Sequence, residues 1–172
     1  AASDVYKRQT WGIIGLGAIG RRVADLAKAF GCHVIYYSTS GKNTQPGYER
    51  TDLDTLLRES DIVSVHAPLT DATRGLMNRE AFEKMKPTAV FLNVGRGPIV
   101  VEKDLAEALK CGQIAAAGLD VLSAEPMRED NPLREIKDSN RLFITPHIAW
   151  ASVEARTRLM NIILGQVKEY FK

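Results

Sequence analysis

Cysteine is nearly missing from this chain: Cys32 and Cys111 are the only two among 172 residues, they lie far apart, and neither belongs to a CxxC pair. No disulfide framework and no metal-ligand spacing can be read, so a reducing compartment and no bound metal are expected. An excess of one charge is missing too. The chain carries 23 basic and 21 acidic residues, a net charge of +2, and so no field strong enough to make nucleic acid or a membrane surface its main partner. No apolar run approaches the ~20 residues of a membrane helix, and the first residues lack the basic-then-apolar order of a signal peptide. What remains is an ordinary globular composition, 45% hydrophobic and 26% charged, of a size suited to one domain. The expectation is a cytoplasmic protein whose partner is a small-molecule substrate. Residues 1–9, AASDVYKRQ, show no apolar periodicity and are read as an unassigned tail ahead of a domain spanning 10–172.

From Trp11 onward, short apolar runs alternate with longer amphipathic segments. WGIIGL (11–16), HVIYY (33–37), DIVSVHA (61–67), AVFLNV (89–94), IAAAGLDV (114–121) and RLFITP (141–146) read as strands buried on both faces. Between them, AIGRRVADLAKAF (18–30) places Ile19, Val23, Leu26, Ala27 and Phe30 on one stripe and stops at Gly31. Segments 53–60, 79–85 and 102–112 repeat the arrangement. Segment 124–140 is polar, contains two prolines, and reads as a long irregular excursion of the kind that usually carries function. A last helix from Ser152 would bury Leu159, Ile162, Ile163 and Val167. This alternation predicts the α/β class, a doubly wound parallel sheet in a three-layer α/β/α arrangement.

Gly15-Leu16-Gly17-Ala18-Ile19-Gly20 directly follows an apolar strand and opens a helix, the context in which GxGxxG marks a Rossmann-type dinucleotide site. Gly15 permits the tight turn, Gly17 leaves the backbone open to a pyrophosphate, and Gly20 lets the helix lie close to the strand. Ala18 and Ile19 complete the cradle. The second strand ends in Tyr37-Ser38-Thr39-Ser40 with Lys42 close behind, where an acid normally holds the adenine ribose. Ser38 and Thr39 with a nearby lysine would accept a 2′-phosphate, so NADP is as suitable here as NAD.

In an open parallel sheet, ligands bind outside the carboxyl ends of the strands. Those ends carry His66-Ala67-Pro68, Gly95-Arg96-Gly97, Asp120, Glu125 and His147. One guanidinium fork can bind the carboxylate of a 2-oxo acid and polarise its ketone. A histidine can supply the proton that the ketone oxygen takes as hydride arrives at carbon, and a carboxylate beside it would orient the ring. Arg96, His147 and Glu125 are the candidates. Taken singly, Asp120 also reads as a cap, Glu125 as a solvated loop acid and His33 as a surface residue, while His66 would lend its backbone to the cofactor cleft.

WGIIGLGAIGRRVA, SDIVSVHAPLTDATRGLMN, MKPTAVFLNVGRGPIVVEKDLAEAL, IAAAGLDVLSAEP and TPHIAWAS occur in order and spacing, and with them the chain resembles the D-isomer-specific 2-hydroxyacid dehydrogenases. The resemblance implies that Arg96 binds substrate, that Glu125 and His147 form the acid/base pair, and that Asp120 contacts the nicotinamide side of the cofactor. It also implies a cofactor cleft at Thr70, Val94, Gly95 and Ala149. The stretch from His147 to Ser152 is most similar to glycerate dehydrogenases, also called hydroxypyruvate reductases. Trp150 would then sit near substrate, from its own or a neighbouring subunit, or simply anchor the last helix. Ser38 departs from the family's acid, and Gly95 stands where many members have alanine or serine. Family members add a second, substrate-covering domain that this chain would lack. The activity implied is hydride transfer between NAD(P)H and a small 2-oxo acid such as hydroxypyruvate or glyoxylate, in a homodimer. A non-catalytic dinucleotide-sensing scaffold or an isolated binding module is the alternative.

Overall fold

The computed structural model describes residues 8–42 and 44–171, so residues 1–7 of the expected tail lie outside the described residues. Gln9, placed in that tail, accepts a hydrogen bond from His33 N at 2.9 Å. The strands are β1 Thr10–Ile14, β2 His33–Tyr37, β3 Glu49–Arg50, β4 Ile62–Val65, β5 Val90–Asn93, β6 Ala116–Leu119 and β7 Leu142–Ile144. The helices are α1 Ala18–Ala29, α2 Leu53–Glu59, α3 Arg79–Glu83, α4 Glu102–Lys110 and α5 Val153–Tyr170. The strands form one sheet in the order β3-β2-β1-β4-β5-β6-β7, parallel throughout. This is the expected Rossmann-type doubly wound sheet, with its topological switch between β1 and β4. Strand β3 escaped the sequence reading because it is two charged residues at the sheet edge, where short charged strands discourage further pairing.

Alternation along the strands divides the interior. Ile14, Ile35, Val63, Val65, Phe91, Ala117, Leu119 and Leu142 face the larger core with α2, α3 and α4, where Phe82 meets Phe91 edge to face at 5.4 Å. Ile13, Val34 and Tyr36 face the smaller core with Ala24 and Ala27 of α1. Right-handed crossovers explain the inequality. The chain steps in one direction from β4 to β5 to β6, so these helices share a face, whereas β1 to β2 steps the other way and puts α1 opposite. Beyond β4 that second face is thinly covered: Val90, Leu92, Ala116 and Gly118 are only half-buried and Phe143 is exposed. The expectation that every strand would be buried on both faces holds for β1 and β2, whereas β5, β6 and β7 are well buried on one face only.

Two helix stripes also differ from expectation. Helix α1 buries Gly20, Ala24 and Ala27 and exposes Ile19, Leu26 and Phe30, because it lies too close to β1 and β2 for large side chains to fit beneath it. In α5 no residue is buried, and Leu159, Ile162, Ile163 and Val167 all stand exposed; this helix finds no apolar partner among the described residues. Ser152 starts it, its Oγ accepting from Ala155 N at 3.2 Å. The irregular excursion contains a 3-10 turn at Pro132–Glu135 whose Leu133 is buried in the larger core. Among the described residues no helix is long and apolar enough to cross a membrane.

His66, just past β4, ties the strands together from inside. Trp11 Nε1 donates to Ser64 Oγ at 2.8 Å, and Ser64 Oγ meets His66 Nε2 at 3.1 Å. Burial pushes the ring's pKa from 6.5 down to about 4, so it stays neutral where an unfolded histidine would gain a proton. Between those two values the unfolded chain binds more protons, and stability falls as the pH falls. Urea unfolding from pH 7 to pH 4 should show this loss, and His66→Gln should reduce the slope across that window. An identical slope in both proteins would refute the assignment.

Candidate active site

The glycine loop is built by close contacts. Gly15 adopts φ +93°, where a side chain would be strained, and a Cβ there would lie 2.8 Å from Ala67 backbone atoms. Its N–H donates to Tyr37 O at 3.0 Å, linking the ends of β1 and β2. A Cβ on Gly20 would lie 2.4 Å from Gly15 O, whereas one on Gly17 would meet nothing within 4 Å. Gly17 caps α1 without a side-chain hydrogen bond, and the first turn holds no acid. The helix N-terminus therefore presents its N–H groups to open space, next to exposed Ala18 and Ile19. At the end of β2, Ser38 is buried, Thr39 half-buried and Lys42 exposed.

Across the switch point, Ala67 is buried beneath Gly15, while Pro68 and Thr70 are exposed. Thr73, itself buried, fixes their loop: its Oγ1 accepts from Thr70 N and donates to Pro68 O, both at 2.8 Å. At the end of β5, Asn93 is fully buried and brackets the arginine loop. Its Nδ2 donates to Arg96 O at 3.0 Å and its Oδ1 accepts from Gly95 N at 3.1 Å. Arg96 is exposed, with Nη1 donating to Gly95 O at 2.8 Å, and Val94 beside it is exposed as well. Gly97 has no room for a side chain, since its Cβ would fall 2.0 Å from Leu122 C and O. The arginine loop thus lies directly on the segment that leads to Glu125.

Asp120 organises the far end. One oxygen accepts from Thr145 Oγ1 at 2.5 Å and from Ile148 N at 2.9 Å, and the other accepts from Ala149 N at 2.9 Å. Burial works to raise its pKa, but these bonds outweigh it and hold the carboxyl below the usual range. The loop so gripped carries His147, the one non-glycine residue with positive φ among the described residues, at 55°. That conformation costs roughly 1–3 kcal/mol. It is held further by His147 N donating to Thr145 O at 3.0 Å and by Trp150 Nε1 donating to His147 O at 2.7 Å. Trp150 thus braces the histidine backbone ahead of α5.

The result is a pairing between residues 22 positions apart: His147 Nδ1 lies 2.8 Å from Glu125 Oε2. Glu125 Oε1 accepts from Leu122 N at 2.9 Å. That backbone bond first, and the histidine second, hold the Glu125 carboxyl below its usual range. An ionised carboxylate can only accept, so Nδ1 carries the proton toward Glu125 and leaves Nε2 free for an incoming group. Beside the pair is a cavity of about 400 Å³, lined among others by Leu122, Met127, Ile144 and Thr145. Of the residues named from sequence, hydrogen bonds join Glu125 to His147 and Asp120 to Ala149, two residues beyond that histidine; Gly97 beside Arg96 packs on Leu122, and the glycine loop packs on Ala67. Asn93 and Thr145 were missed. Each acts by bonding backbone or a neighbouring carboxylate, and the available signal was a polar residue closing an otherwise apolar strand.

Residues 2–149 match the family model of the D-isomer specific 2-hydroxyacid dehydrogenase, NAD binding domain. A hydroxypyruvate reductase from Blautia hydrogenotrophica is 44% identical over 164 residues, covering 94% of this chain and 50% of that protein. The crystal structure of a D-lactate dehydrogenase from Aquifex aeolicus, complexed with NAD and lactic acid, superposes with a TM-score of 0.89 at 31% identity, over 96% of this chain and 54% of that one. An acyclic imino acid reductase in complex with NADPH and D-Arg superposes with a TM-score of 0.84 at 36% identity, over 95% and 51% of the two chains. The chain spans about half the length of the curated relatives it matches.

The second and third glycines of the loop should separate in a stability measurement. Gly20→Ala drives a Cβ into Gly15 O and should lower unfolding free energy by about 1–3 kcal/mol. Gly17→Ala enters open space and should change it by less than about 0.5 kcal/mol. Chemical denaturation of both variants checks this, and equal costs would contradict the loop geometry.

Proposed function

The chain belongs to the D-isomer specific 2-hydroxyacid dehydrogenase family, matching its NAD binding domain, and from that premise we propose that it is the cofactor half of a reductase of small 2-oxo acids, hydroxypyruvate or glyoxylate, to D-2-hydroxy acids. The observation that carries the proposal is the 2.8 Å contact between His147 and an ionised Glu125 on the sheet edge that also presents Arg96.

The residues fit a dinucleotide. The open space over Gly17, the uncapped N-terminus of α1 and its acid-free first turn suit a pyrophosphate held by Gly15, Gly17, Ala18, Ile19 and Gly20. Ser38 and Thr39 would face the adenine ribose. Pro68, Thr70, Val94, Gly95, Asp120 and Ala149, with the backbone of His66 and Ala67, would line the rest of the cleft. When bound, the nicotinamide supplies or accepts the hydride. Arg96 binds the substrate carboxylate and polarises the adjacent carbonyl. His147 in its protonated form delivers a proton from Nε2 to the carbonyl oxygen, and its neutral form takes that proton back in the reverse direction. Glu125 keeps the ring oriented through its contact with Nδ1.

Either NADH or NADPH is proposed as cofactor, because no acid stands at the end of β2 to repel a 2′-phosphate. A cytoplasmic location and a homodimer belong to the same proposal, the homodimer supported by the exposed apolar residues of α1 and α5. A second reading is a dinucleotide-binding module without turnover of its own: the His147 and Glu125 side chains are 41% and 38% exposed, and this chemistry depends on excluding water and positioning substrate.

Fluorescence titration of the chain with NADH and NADPH, followed by addition of hydroxypyruvate or glyoxylate, tests these readings. Both cofactors should bind, with affinities within about tenfold of each other. His147→Gln should leave that binding intact while lowering turnover by about 10²–10⁴-fold. Binding of neither cofactor would overturn the dinucleotide site, a larger preference for NADH would overturn the role given to Ser38, and binding without turnover would favour the module.

A further inference from the structure

Glu102 opens α4, and an acid in the first turn of a helix ordinarily serves that helix's own N-terminus. Here the side chain reaches elsewhere. Its Oε1 accepts from Ser123 N at 2.6 Å and its Oε2 accepts from Asn131 Nδ2 at 2.7 Å. Asn131 is buried, and its Oδ1 accepts from Leu133 N at 2.9 Å, which anchors it to the 3-10 turn packed on the core. Both ends of the loop 123–131 are therefore gripped by one carboxylate. Glu125 lies inside that loop, and Leu122, the residue before the gripped amide, donates to Glu125 Oε1 at 2.9 Å. On the opposite side Gly97 packs against Leu122 and Ser123 so closely that a Cβ would lie within 2.4 Å of Ser123 N. The segment that aims Glu125 is thus pinned between the arginine loop and Glu102.

We propose that Glu102 is a positioning residue of the acid/base site: by fixing the Ser123 and Asn131 ends of the loop, its carboxylate sets Glu125 against His147. The inference rests on the pair described under the proposed function and assigns a role to a residue that touches neither reacting group. The purely local alternative, a favourable charge at the start of α4, would not require two bonds to a distant loop.

Two effects of removing Glu102 have opposite signs, which makes the role measurable. The Glu125 carboxyl is held low by Leu122 N and by His147, while the charge of Asp120 acts to raise it. Deleting the negative charge of Glu102 by itself can only lower Glu125 further. Loosening the loop weakens the bonds from Leu122 and His147 and raises it. Carboxyl ¹³C NMR titration of the 172-residue chain should therefore show Glu125 moving up toward the ordinary carboxylate range in Glu102→Ala. In Glu102→Gln, which keeps an acceptor for Ser123 N but drops the charge and turns a donor toward Asn131 Nδ2, Glu125 should move up less than in Glu102→Ala. Amide spectra report whether each variant is folded, and Asn131→Ala, which releases one end of the loop only, should give a smaller upward movement if Glu102→Ala does not fold. An unmoved or lowered Glu125 in a folded Glu102→Ala or Asn131→Ala would overturn the proposal. A wild-type Glu125 already titrating in the ordinary range would overturn the acid/base pair itself, and the clamp with it.

Discussion

The carboxylate of Asp120 is the point on which the candidate site depends. It directly follows β6, it is buried, and an ionised group in that position needs donors. All three that it has come from the chain immediately around His147: the Thr145 hydroxyl and the amides of Ile148 and Ala149. Satisfying the acid and shaping the histidine loop are therefore one event. The left-handed backbone of His147 follows from it, and so does the direction in which the ring meets Glu125. The same economy recurs across the edge. Asn93 uses one side-chain amide to close the arginine loop, and Thr73 uses one hydroxyl to close the loop after β4.

These devices stand side by side because the sheet is parallel. Every strand leaves by the same edge, so residues from four separate connections converge there. Right-handed crossovers decide the remaining architecture, loading three helices onto one face and leaving β5, β6 and β7 thinly covered on the other. The large apolar side chains of α1 and α5 remain at the surface for a related reason. Small residues let α1 approach the sheet, which turns its bulky residues outward, and α5 buries no residue against the described chain.

The glycine loop and the order of strands were legible because both rest on local physics: a turn that only glycine permits, and a period of two against a period of 3.6. The polar residues at the strand ends were legible for the same reason, since the end of an apolar run is visible in one dimension. Helix faces were less legible. Ile19, Leu26 and Phe30 have the spacing of a buried stripe, yet Gly20, Ala24 and Ala27 have it too, and which stripe goes inside depends on how close the helix must come to the strand. Asn93, Thr145 and Glu102 carry no periodic signal, because each is defined by the group it bonds: backbone of its own loop for Asn93, and groups on another connection for Thr145 and Glu102.

The amino-acid sequence by itself determined the α/β class, the anion-binding turn after β1 and the set of side chains delivered to the carboxyl edge, since each is settled within one element by sterics and hydrophobic alternation. Tertiary structure decided which of those side chains meet. The pairing of Glu125 with His147 requires Asp120 to fold one loop and Leu122 to lie against Gly97 on another, and contacts between residues remote in sequence exist only once the strands between them have been stacked in register.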